Sequence, residues 1–65
     1  MVTTLQDNIR QAMQARGLNT MQLAIECEAS YFTVNAWLTG ARVPNAVNLR
    51  RLSTALGVSI DDLLE

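Results

Sequence analysis

The chain has 65 residues, 49% of them hydrophobic, and a formal net charge of −1. That describes one domain, residues 1–65, near the lower size limit for folding alone, with no room for a substrate cleft on a supporting scaffold. No apolar run is long enough for a transmembrane helix, the first residues lack a secretory pattern, and the single cysteine, Cys27, has no internal disulfide partner, so a reducing cytoplasm is the expected setting.

Histidine is absent. One cysteine without histidine argues against a zinc site and removes the usual general base and nucleophile pairings. Asp61 and Asp62 are adjacent, so a helix sends them apart. The expectation is no enzyme, no metal, no cofactor and no small-molecule substrate. The charge balance disfavours a polyanion partner, but its distribution is uneven. All five cations are arginines. From Ala29 to Val58 there is no acidic residue, whereas Arg42, Arg50 and Arg51 fall there. The acids sit at Asp7, Glu26 and Glu28, then at Asp61, Asp62 and Glu65.

Apolar residues recur at helical spacing throughout, which predicts an all-α fold. Leu5, Ile9, Ala12 and Met13 line one face of a first helix. Thr3 or Thr4 caps it, with Gln6 or Asp7 three residues on, and Gly17 ends it. Asn19, with Gln22 at the third position, starts a short second helix running to about Cys27. Glu28 and Ala29 form a tight connection. Ser30 caps a third helix that stops before Gly40. Ala41 to Asn45 is a loop containing Pro44. A fourth helix carries Leu49, Leu52 and Leu56 on one stripe and stops at Gly57. Ser59 and Asp62 form a further capping box for a last helix with Ile60, Leu63 and Leu64. Five helices with short connections make a compact bundle, and the second and third, at about residues 20–39, form a helix-turn-helix.

At 100° per residue, Val34, Trp37 and Leu38 on the third helix point inward. The opposite face centres on Phe32 and Ala36, flanked by Thr33 and Asn35, with Tyr31 near the border. It carries no charge. In a DNA major groove Phe32 suits a thymine methyl, Asn35 an adenine edge, and Thr33 or Tyr31 a base edge or phosphate. Trp37 reads as core, and Cys27 as a small half-buried residue.

The stretch Gly17 to Ala24 (GLNTMQLA), followed by Ser30 to Gly40 (SYFTVNAWLTG), resembles the helix-turn-helix of the Cro/C1-type (XRE) family of phage-repressor-like regulators. The run Leu52 to Leu64 (LSTALGVSIDDLL) is similar to that family's closing signature. The resemblance implies a lambda-repressor-like five-helix bundle that binds double-stranded DNA as a homodimer, with half-sites about 34–36 Å apart. Carried over by position, it implies base contacts from Tyr31, Phe32, Thr33, Asn35 and Ala36. It implies backbone contacts from Asn19, Thr20, Gln22, Thr39, Arg42 and Asn45. Ala24 becomes the small residue where the two helices cross. Val58, Ile60, Leu63 and Leu64 offer a dimer surface. The chain departs from the pattern at Glu28, where a glycine is usual, and at Met13 and Leu38, where an arginine–glutamate pair is frequent. Two other readings compete: a protein-interaction module on the same fold, supported by the acidic balance and the Tyr31–Phe32 pair, and an antitoxin-type regulator.

Overall fold

The computed structural model describes residues 4–65, and the alternative cap Thr3 lies outside them. In chain order its helices are α1 (Leu5–Arg16), α2 (Thr20–Cys27), α3 (Tyr31–Thr39), α4 (Ala46–Leu56) and α5 (Ile60–Leu64), with no strand among the described residues. Each helix starts at a residue whose side-chain oxygen accepts the amide three positions on: Thr4 from Asp7, Asn19 from Gln22, Ser30 from Thr33, Asn45 from Asn48 and Ser59 from Asp62. Each such bond satisfies one of the four orphan amides of a helix start. Thr4 and Asn19 form full capping boxes, because the side chains of Asp7 and Gln22 reach back to the cap amides. At the expected box of Ser59 and Asp62 the Ser59 half is formed.

Helices α1, α3 and α4 end on glycines in the left-handed conformation, at Gly17, Gly40 and Gly57. Helix α2 ends on Glu28, which adopts the same conformation with φ 56° and ψ 38°. The turn is closed by bonds from Glu28 N to Ile25 O (3.2 Å) and from Ala29 N to Ala24 O (3.0 Å). A β-carbon in this region crowds the following carbonyl, at a cost of about 1–2 kcal/mol. Glu28→Gly is therefore expected to stabilise the domain by about 1 kcal/mol, the relieved crowding exceeding the extra entropy glycine loses on folding. In a chain this short that raises the melting midpoint by roughly 4–8 °C. Thermal unfolding followed by circular dichroism checks it, and a midpoint that does not rise would mean the turn carries no strain.

The core draws on every helix: Ile9 and Met13 from α1, Leu23, Ala24 and Cys27 from α2, Val34, Trp37 and Leu38 from α3, Leu52, Ala55 and Leu56 from α4, and Leu63 from α5. None of the described polar or charged side chains is buried. Cys27 is 1% exposed rather than half-buried. Burial pushes its thiol up to about 11, with Glu26 adding to the shift and Arg51 opposing it. At neutral pH it is a protonated, apolar filler.

Helix α1 packs against α3, α4 and α5, and its polar residues finish what the glycines begin. Asn8 Nδ2 donates to Leu63 O of α5 (2.8 Å), Arg10 Nη2 to Leu38 O of α3 (2.8 Å), and Arg16 Nη1 to Ala55 O of α4. All three acceptors are carbonyls of a last helical turn, which have no partner within their own helix. The two guanidinium groups also sit where the dipoles of α3 and α4 are negative. Arg16 and Glu26 lie 3.6 Å apart with both side chains partly exposed, an ion pair that adds little. Met13 and Leu38 are both buried, as the apolar replacement of a polar pair requires.

One expected surface residue is corrected. Leu63 is 1% exposed. Helix α5 folds back onto α1, where Asn8 holds its last turn, and this turns the Leu63 side of the helix into the core. Leu64, one residue further round, stays outside at 58% exposure. Val58 and Ile60 are half-buried.

Candidate nucleic-acid interface

The geometry of the α2–α3 unit rests on small residues and a short turn. Ala24 is buried at the heart of α2, and its carbonyl accepts the bond that closes the turn. A β-methyl there lets two helices approach closely. Helix α3 then buries Val34, Trp37 and Leu38 and leaves its other side open.

That open side divides into two notches. Phe32, Thr33 and Ala36 line one of about 230 Å3 together with Arg42. Asn35 and Thr39 line another of about 330 Å3, which extends across Thr20 of α2 to Leu18, Gln14 and Arg10. The expected base-facing residues are thus split. Phe32, Thr33 and Ala36 lie on one flank, and Asn35 lies on the flank that faces the start of α2. Phe32 is 84% exposed, the most of any large apolar residue described. Tyr31, half of it exposed, meets the Phe32 ring edge-to-face with centroids 6.4 Å apart and an interplanar angle of 84°. Such a T-shaped pair is a favoured aromatic geometry.

Hydrogen bonds decide which polar atoms remain for a ligand. The Thr33 hydroxyl is 2.8 Å from the Ser30 hydroxyl, so the cap engages it. Thr39 Oγ1 donates back to Ala36 O at 3.3 Å, and to donate to a phosphate it must give up that bond. The amide side chains behave differently. Asn19 Oδ1, Gln22 Oε1 and Asn45 Oδ1 each accept a backbone amide at a helix start, at 2.8, 2.9 and 2.9 Å. Each oxygen is committed inward, which leaves the NH2 as the free group. An NH2 is a donor, and a phosphate oxygen accepts. Thr20 and Met21 follow the Asn19 cap, and their amides, the first of α2, add unpaired donors at the positive end of the helix dipole.

The cations divide in the same way. Arg10 and Arg16 are engaged with helix carbonyls. Arg50 and Arg51 line a cleft of about 390 Å3 against the last turn of α2, beside Glu26 and Glu28. Arg42 lines the notch of Phe32, Thr33 and Ala36, and its amide is bonded to Ala36 O at 3.2 Å, whereas Arg10 borders the Asn35 notch with its guanidinium engaged by Leu38 O. Sequence reasoning had no signal for the roles of Arg10 and Arg16, since both depend on which carbonyls the folded chain brings near them.

Further apolar groups stand outside the core: Met21 and Ile25 on α2, and Val43 and Val47 around the start of α4. No group of acidic, cysteine or histidine side chains able to hold a metal ion occurs among the described residues. No described helix is long and apolar enough to cross a membrane.

No curated protein and no solved structure matches the chain. A family model does: that of the Cro/C1-type HTH DNA-binding domain, over residues 8–65. The match runs from within α1 through α5 and includes the whole α2–α3 unit. The chain belongs to the Cro/C1-type helix-turn-helix family and is a DNA-binding regulator.

Proposed function

We propose that this chain is a small Cro-like repressor that occupies a near-palindromic operator as a homodimer. Helix α3 enters the major groove, and Asn35 pairs bidentately with an adenine. Tyr31, Phe32, Thr33 and Ala36 complete the base-facing set. Asn19, Thr20, Gln22, Thr39, Arg42 and Asn45 surround it and contact the backbone. Leu64, with the half-buried Val58 and Ile60 behind it, contributes to the contact between copies.

The observation that carries this reading is the way three helix-capping side chains leave amide donors unspent. The side chains of Asn19, Gln22 and Asn45 cap helices with their oxygens and keep their NH2 groups for an acceptor partner. A chain poor in cations can hold a phosphate backbone this way. Phosphate contacts set register, while Asn35 on the neighbouring flank reads sequence.

The test is selection of bound sequences from a random duplex pool at low salt, with Asn35→Ala alongside. An enriched inverted repeat is expected, which the variant binds about 10- to 100-fold more weakly. Enrichment of single half-sites would remove the dimer. No enrichment at any salt would remove the operator, leaving the aromatic tip of α3 as a protein contact.

A further inference from the structure

We propose that Phe32, Ala36 and Arg42 together read one base step, in which a 5-methylpyrimidine adjoins a guanine. The proposal rests on α3 entering the major groove and deepens that reading. It assigns Arg42 to a base rather than to the backbone.

Three observations place the chemistry. First, Phe32, Thr33, Ala36 and Arg42 line a single notch. Two of these side chains are wholly apolar, and a third, Thr33, has its hydroxyl engaged with Ser30. What the notch offers is a benzyl ring, methyl groups and one guanidinium. Second, Phe32 is 84% exposed, and its ring meets that of Tyr31 edge-to-face. A ring this exposed gains nothing from the core. Burying it against a ligand methyl is its available source of apolar stabilisation. Third, the loop that carries Arg42 is tied to α3 by the bond from Arg42 N to Ala36 O. The guanidinium therefore stands beside the apolar surface rather than on a separate arm.

The major-groove edges of the bases match this set. The C5-methyl of thymine projects into the groove, and a methyl on C5 of cytosine would occupy the same place. Guanine presents O6 and N7, which a guanidinium takes bidentately. A ring and a cation in one notch of this size face neighbouring base pairs rather than distant ones. Arg42 takes no part in the ion pair found among the described residues, which joins Arg16 and Glu26.

The experiment uses the enriched operator and substitutes it atom by atom. Uracil for the contacted thymine removes one methyl and is expected to weaken binding about four-fold. Placing 5-methylcytosine there, paired with guanine, is expected to retain that methyl contribution where unmodified cytosine loses it. This separates the two sources of the methyl. 7-Deazaguanine at the neighbouring position removes N7 and is expected to cost about ten-fold. Phe32→Ala keeps the fold, since Phe32 lies outside the core, and is expected to bind thymine and uracil duplexes equally. Arg42→Ala is expected to lose its response to 7-deazaguanine. If no thymine in the operator responds to loss of its methyl, or if Phe32→Ala responds as fully as the parent, the methyl contact is wrong. If Arg42→Ala weakens every duplex by one common factor, Arg42 holds the backbone instead. Those outcomes leave operator binding intact. A pool with no enriched sequence overturns both readings.

Discussion

Trp37→Ala is expected to leave the chain mostly unfolded at room temperature. Trp37 is 2% exposed, on the inward face of α3, in a core to which all five helices contribute. Truncating a buried tryptophan costs about 3–5 kcal/mol through lost burial and the cavity left behind. A core in a chain of this length rarely supplies more than about 3–5 kcal/mol in total. The two figures are of one size, so little net stability survives. Far-UV circular dichroism of the variant should show lost helicity. Trp37→Phe, which keeps most of the volume, should retain the fold with an earlier urea midpoint. Cooperative unfolding of the alanine variant near the parent's midpoint would mean that the core closes over the gap. As the chain's one tryptophan, Trp37 also makes parent unfolding visible by fluorescence.

The second large effect belongs to the arginines of α1. Replacing both, as Arg10→Met with Arg16→Met, is expected to cost about 2–3 kcal/mol. Hydrogen bonds to charged groups contribute about 1.5–3 kcal/mol each where shielded. Both arginine side chains are exposed and screened by solvent, so the low end applies. Methionine retains the apolar stem, and what is removed is the donor and its charge at the ends of α3 and α4. The two bonds go to different helices, so the single changes should add. Urea denaturation of both singles and the double measures this. Glu26→Gln is the control, because it breaks the ion pair to Arg16 and leaves the Ala55 bond intact. It should move the midpoint by less than about 0.5 kcal/mol. If Glu26→Gln costs as much as Arg16→Met, the ion pair rather than the carbonyl bond is what Arg16 supplies.

The features legible in sequence were those governed by a few neighbouring residues. Asn19 with Gln22 and Ser30 mark helix starts because capping is a three-residue event, and Gly17 and Gly57 mark ends for a similar reason. The inward side of α3 follows from helical angle alone, and Val34, Trp37 and Leu38 are buried as that angle requires. Features that depend on distant parts of the chain were not legible. Leu63 has the same apolar signal as Leu64, and only the packing of α5 on α1 decides which is covered. Arg10 and Arg16 look like ordinary surface cations until α3 and α4 bring carbonyls to them. Asn45 closes the expected loop, and its capping bond to Asn48 N is what the sequence reading did not include.

At the candidate interface the set of residues was legible, and the atoms they have to spare were not. Thr33 and Thr39 belong to the open side of α3, but both hydroxyls have intramolecular partners. Asn19 and Gln22 look like interchangeable amides in the sequence, whereas reciprocal capping fixes which end of each remains for a partner. At Glu28 the sequence showed only a departure from the usual glycine, and the chain takes up the left-handed conformation there regardless.

The three bonds from α1 have a consequence for how the domain opens. A helix whose side chains complete three others cannot loosen by itself, because each departing residue strips a carbonyl of its partner elsewhere. Local opening and global opening then approach the same free energy. Backbone amides of α3, which would meet DNA, would exchange with solvent at rates close to those of α1, which packs against it. A ligand gripping α3 would then slow exchange across the whole domain, since anything that binds the closed form draws on one shared equilibrium.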